Sequence, residues 1–186
     1  MDIYEIGGLL SGIAYVVLAA RASVWCWPIG LVNVLLFIYL NYYAKLYADV
    51  GLQFVYLALT LYGWYNWANA AKQQGNHIGF VNRRLFGSLT LLTVCLAALL
   101  ALILDRYTDT DVPVWDAVVT ALSLTATWLT AQKILENWLL WIFTDVLYVG
   151  LYAYKELYLL ALLFVIYTLV AAQGYLYWKK LARREG

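Results

Sequence analysis

Long apolar stretches, broken by short clusters of polar and charged residues, run through the whole chain. A helix needs roughly 20 mostly apolar residues to cross a bilayer. By that measure spans are predicted at 6–21, 27–44, 50–69, 85–104, 113–131, 136–154 and 157–178. Seven spans consume about 140 positions, which leaves short connections and no separate domain, so residues 1–186 read as one membrane domain. The first span lacks a basic start and matches the fifth in the internal repeat, so it reads as mature structure and not as a cleaved signal.

The pattern repeats. Residues 27–67 recur in order and without a gap 111 positions later. This frame pairs Trp27 with Trp138, Leu40 with Leu151, Tyr43 with Tyr154, Tyr47 with Tyr158, Tyr56 with Tyr167, Gly63 with Gly174 and Trp67 with Trp178. Apolar bias alone produces leucine matches, but it rarely aligns several aromatic blocks and a glycine at once. The expected fold is therefore an all-α integral membrane protein of two parallel three-helix repeats, 5–69 and 113–179, joined by a linker helix at 83–105. The odd fourth span lets both copies enter the membrane in the same direction.

Composition agrees with this reading: 65% of the 186 residues are hydrophobic and 12% are charged. Nine of the twelve basic residues (Arg21, Lys72, Arg83, Arg84, Lys133, Lys179, Lys180, Arg183 and Arg184) fall at one set of helix ends. The positive-inside tendency then puts the N-terminus outside and the C-terminus in the cytoplasm. The acidic group Asp105, Asp109, Asp111 and Asp116 reads as a solvated outer loop. A net charge of +1 gives no sign of a nucleic-acid partner.

Candidate chemistry is sparse. Cys26 and Cys95 lie in different spans and read as small packing residues. His77 is the single histidine, so neither a metal site nor a histidine-based nucleophile is expected, and nothing calls for a cofactor. The sixth span is the exception, because Asp145 is the one acidic residue well inside a predicted helix, where a charge needs a partner or water. Helical spacing puts Trp138, Trp141, Asp145, Tyr148 and Tyr152 on one face. Asn137 precedes that stripe, while Asn33, Asn41 and Gln53 on the second and third spans offer amides to a hydroxylated solute. Thr120, Ser123, Thr127 and Thr130 form a stripe on span five that close helix packing explains. The paired Gly63 and Gly174 are hinge or packing positions, with Gly30 and Gly150 as weaker ones.

Other classes fit less well. A retinal protein needs a lysine within its last helix, and span seven has none before Lys179. An intramembrane enzyme needs a second reactive group near Asp145. A pure scaffold leaves the Trp141 and Asp145 stripe unexplained.

The block WPIGLVNVLLFIYLNYYAKLYADVGLQ, the YGWYNW at 62–67 and the ENWLLW at 136–141 resemble the PnuC family of bacterial vitamin transporters over essentially the whole chain. Trp138 and Trp141 match that family's tryptophan pair. The resemblance implies the seven-helix architecture of a full-length SWEET transporter with a different helix arrangement, and a homo-oligomer in the cytoplasmic (inner) membrane. It implies facilitated diffusion of nicotinamide riboside, thiamine or riboflavin, with a cytoplasmic kinase trapping the vitamin by phosphorylation. Nicotinamide riboside is preferred, because the tryptophan pair matches that branch. The chain has no phosphate-binding glycine loop with which to be that kinase.

Overall fold

The computed structural model describes residues 3–72 and 77–185. Among them are seven helices: α1 (Ile3–Ala20), α2 (Cys26–Tyr43), α3 (Tyr47–Lys72), α4 (Arg83–Tyr107), α5 (Pro113–Ala131), α6 (Asn137–Tyr154) and α7 (Tyr158–Glu185). Their bounds follow the predicted spans closely, except that α7 continues past 178 into its basic tail. Four helices, α2, α4, α5 and α7, contain stretches long and apolar enough to cross a membrane. The apolar part of α1 is shorter, Ile6–Ala20, and α3 and α6 carry polar residues such as Gln53, Asn66 and Asp145 within their length.

Helix ends repeat with the sequence. α2 and α6 begin and end at positions 111 apart, as do the starts of α3 and α7. The turns that stop α1, α2, α5 and α6 each use a left-handed residue that is not glycine: Ala22, Lys45, Lys133 and Glu156, with φ of 53°, 60°, 54° and 58°. These too pair at 111. In each turn the next residue's N–H reaches back five positions to a helix carbonyl, as Ser23 does to Leu18 (3.0 Å) and Ile134 to Leu129 (3.1 Å). That is the Schellman arrangement, which satisfies carbonyls a helix end would otherwise strand.

Packing closes a ring: α1 lies on α2, α2 on α3, α3 on α5, α5 on α6, α6 on α7, and α7 back on α1. α4 touches α5 alone among the described helices and stands outside the ring. None of its residues is buried, so an apolar surface faces outward, as lipid allows. Cys95 is exposed on α4, which corrects its assignment to packing; Cys26 is in the core. The acidic loop also differs from expectation at one point: Lys155, the residue that caps the end of α6, pairs with Asp116 on α5 at 3.0 Å, and Thr110 Oγ1 donates to the same carboxylate at 2.5 Å. Asp116 is a strut between helices.

The core sits at the end where the basic residues gather. Trp27 meets Trp67 edge-on at 5.5 Å, Trp138 meets Trp178 edge-on at 5.5 Å, and Trp67 lies 5.7 Å from Trp178. Aromatic pairs of this kind contribute about 0.5–1.5 kcal/mol beyond burial. Gly63 and Gly174 make room for them. A Cβ at Gly63 would come within 2.2 Å of the Trp27 ring, and one at Gly174 within 2.8 Å of Trp138. Both glycines lie within continuous helices with negative φ, so their visible role is to seat the tryptophans.

Candidate solute-binding site

Inside the ring is a cavity of about 290 Å³ to which α1, α2, α3, α5, α6 and α7 all contribute. That is close to the lower end of small-molecule pockets, roughly 300–1,000 Å³. α4 contributes nothing.

The predicted α6 stripe holds together. Trp138, Trp141, Asp145, Tyr148 and Tyr152 all line the cavity, as do Asn33 and Gln53 from the opposite side. Asp145 is 3% exposed and makes no hydrogen bond or ion pair with any described residue. A lone carboxyl in a membrane interior is costly and is retained where a pathway or ligand uses it. Trp141 is held by its Nε1, which donates to Thr130 Oγ1 at 3.2 Å. Tyr148 and Tyr152 stack at 5.8 Å and pack on Phe164, which lies edge-on to Tyr167. Together these rings make one aromatic wall.

Asn33 has a double duty. Its amide nitrogen donates to Gly8 O at 2.6 Å and to Ser11 Oγ at 3.0 Å, tying α2 to α1. Its oxygen is the part it can offer a solute.

Two of the predicted residues are not part of the lining: Asn41 and Asn137. Asn137 is wholly buried at the first position of α6, donating to Ile134 O at 2.6 Å, with its Oδ1 3.1 Å from Thr130 Oγ1. Its neighbour Glu136 accepts from Val81 N at 3.0 Å. The turn before α6 is bridged to the α3–α4 connection by Gly79 N–H to Lys133 O (3.0 Å) and Leu135 N–H to Gly79 O (2.9 Å). The Glu136-Asn137 pair thus builds the turn that aims Trp138 and Trp141.

Other lining residues carry no sequence signal of their own. Ser123, Thr127 and Thr130, whose stripe packing alone was expected to explain, face the cavity, although each hydroxyl also bonds its own helix. Tyr15, Tyr56, Thr60 and Tyr167 complete the polar lining. Their helical spacing with Gly12, Gln53 and Ala171 was the available clue.

The two halves of the lining differ in chemistry. At positions 111 apart, Gly12 answers Ser123, Val16 answers Thr127, Ala19 answers Thr130, Gly30 answers Trp141 and Val34 answers Asp145. At these paired positions the polar, charged and indole side chains fall on α5 and α6, and the small or aliphatic ones on α1 and α2. Tyr15 packs over Gly30, where a Cβ would meet its ring at 2.8 Å.

A ring of apolar helices around a polar, aromatic chamber with one unpaired carboxyl is the build of a membrane transporter for a small organic solute. The nicotinamide mononucleotide transporter family matches residues 2–180, and the chain belongs to it. It is 27% identical over 208 residues to the nicotinamide riboside transporter PnuC of Escherichia coli K12, covering 98% of this chain and 87% of that protein. It is 24% identical over 182 residues to the riboflavin/roseoflavin transporter RibM of Streptomyces davaonensis, covering 96% and 85%. The crystal structure of the vitamin B3 transporter PnuC shares the fold, with a TM-score of 0.78 at 24% identity over 97% of this chain and 82% of that one. These relatives are transporters, in keeping with the expectation that this chain is not an enzyme.

Proposed function

We propose that this protein imports nicotinamide riboside across the bacterial inner membrane by facilitated diffusion, with seven spans arranged as two three-helix copies and a linker. The carrying observation is the cavity itself: indoles at Trp138 and Trp141 beside the unpartnered Asp145. A cationic aromatic ring stacks on an indole with about 2 kcal/mol or more when desolvated, and Asp145 supplies the counter-charge. Asn33, Gln53, Tyr148 and Tyr152 then hold hydroxyl and amide groups.

The helix bounds and left-handed turns that recur at 111 support the two-copy reading. The copies rock about the cavity to expose it to each side in turn, with the basic helix ends and the C-terminus in the cytoplasm. One deep carboxylate, with no second charged residue in the lining, favours uniport over a proton relay. A cytoplasmic kinase that phosphorylates the vitamin prevents its return. Assembly into a homo-oligomer leaves each ring with its own cavity.

Thiamine, also a cationic aromatic, is the second reading on the same residues, and the likeness to RibM keeps riboflavin as a third. Equilibrium binding of the three vitamins to purified wild type and Trp141→Ala decides among them. Binding of nicotinamide riboside above the others, lost in Trp141→Ala, is expected. Binding of none overturns the vitamin-transport reading.

A further inference from the structure

Thr130 lies where the cavity borders the tryptophan cluster. It lies in the last turn of α5, 1% exposed. Its backbone carbonyl accepts from Trp67 Nε1 at 3.1 Å. Its side-chain oxygen accepts from Trp141 Nε1 at 3.2 Å and lies within donating reach of Asn137 Oδ1 (3.1 Å) and of Ala126 O (2.8 Å). The main chain of this residue therefore belongs to the cluster and its side chain to the cavity.

The position 111 residues earlier separates these two roles. Ala19 O accepts from Trp178 Nε1 at 3.1 Å, the counterpart of the Trp67 bond. Ala19 has no hydroxyl, and the counterpart of Trp141 is Gly30. The crossing bond and the packing around it are thus achieved with alanine. The hydroxyl of Thr130 is surplus to them, and what it adds is a hold on Trp141 and on the turn that begins α6.

We propose that Thr130 is a positioning residue for solute recognition, fixing the plane of the Trp141 indole and coupling it to the Trp67–Trp178 contact that closes the basic end of the ring. The inference rests on the reading that this cavity holds the transported solute. Trp141 is only partly buried, so the bond at Nε1 adds an orientation that packing alone gives to the fully enclosed Trp27 and Trp138. A solute that stacks on Trp141 bears on the Thr130 side chain, and any shift of that residue reaches the carbonyl on which Trp67 is anchored. Opening of the basic end requires that anchor and its counterpart at Ala19 to release.

The full-length chain, purified and reconstituted in liposomes, tests this by measuring equilibrium binding and uptake of nicotinamide riboside, thiamine and riboflavin side by side. Thr130→Val keeps shape and removes the hydroxyl; it should weaken binding of the preferred vitamin about 5- to 10-fold, the scale of one hydrogen bond. Thr130→Ser restores the hydroxyl and should bind within about 2-fold of wild type. Trp67→Phe removes the crossing bond but not the ring; it should leave binding within about 2-fold and change the uptake rate about 5-fold or more. Unchanged binding in Thr130→Val, or equal loss in Thr130→Ser, overturns the positioning role. Unchanged uptake in Trp67→Phe overturns the coupling. If Thr130→Val does not fold, Thr130→Ala, copying Ala19, takes its place under the same criteria. Failure of the wild type to bind any of the three is a different result and overturns the transport reading on which this one rests.

Discussion

Trp67 and Trp178 lie 5.7 Å apart and each donates its indole N–H across the ring, Trp67 to Thr130 O on α5 and Trp178 to Ala19 O on α1, both at 3.1 Å. The donors are 111 positions apart and so are the acceptors, so each half of the chain is fastened by a side chain from the other. Both rings are almost completely buried, and each carbonyl also accepts a backbone N–H from the turn that follows it, Lys133 N to Thr130 O at 3.0 Å and Ala22 N to Ala19 O at 2.9 Å. Trp67→Phe and Trp178→Phe should each lower stability by about 1–2 kcal/mol, the loss of one buried hydrogen bond and of part of the indole's packing. Thermal unfolding in detergent should give similar shifts for the two variants. A shift in only one of them means that the reciprocal arrangement does not operate.

Glycine in the third and last helices is a matter of space. Gly174→Ala and Gly63→Ala should each destabilise by about 1–3 kcal/mol through overpacking against Trp138 and Trp27. Gly51, also helical, has nothing within 4 Å of a built Cβ, so Gly51→Ala should be neutral or gain up to about 1 kcal/mol from helix propensity. Melting temperatures of the three variants check the contrast.

Asp145 breaks no ion pair when neutralised, because it has none among the described residues. Asp145→Asn should therefore fold at least as stably as wild type. It should weaken binding of a cationic vitamin by about 10-fold or more, the scale of a charge-assisted contact, and spare riboflavin, which is neutral. Equal loss for both ligands would show that the carboxyl acts by shape and not by charge.

The left-handed turn residues Lys45 and Glu156 are exposed and strained. Replacing either by glycine should raise stability by about 1 kcal/mol. Loss of stability in Lys45→Gly and Glu156→Gly would mean that those side chains make contacts of greater worth than the strain.

The spans and the repeat were legible because bilayer thickness imposes a length and duplication imposes a register. The Trp138 to Tyr152 stripe was legible for a related reason: a carboxylate and several aromatic residues at helical spacing stand out in an apolar helix. The hydroxyl stripe of α5 did not stand out, since serine and threonine bonded to their own helix serve close packing and cavity lining alike. Tyr15 gave no signal because what distinguishes it is the empty place at Gly30, on another helix. Asn137, expected to face a solute, lies outside the cavity lining at the start of α6, its partners Thr130 and Ile134 being specified only by the bend. That bend, like the other three, turns on a left-handed residue with no glycine to announce it.

The uneven division of the lining, with Asp145 facing the place of Val34 and Trp141 the place of Gly30, gives the chamber a handedness. Two identical halves would offer a guest two equivalent poses related by half a turn. Once one half alone bears the charge and the indole, a lopsided molecule, with a ring at one end and a sugar or alcohol tail at the other, has a single preferred way to sit. Gene duplication followed by divergence would then have given the chamber a head and a foot, so that its passenger always faces the same way.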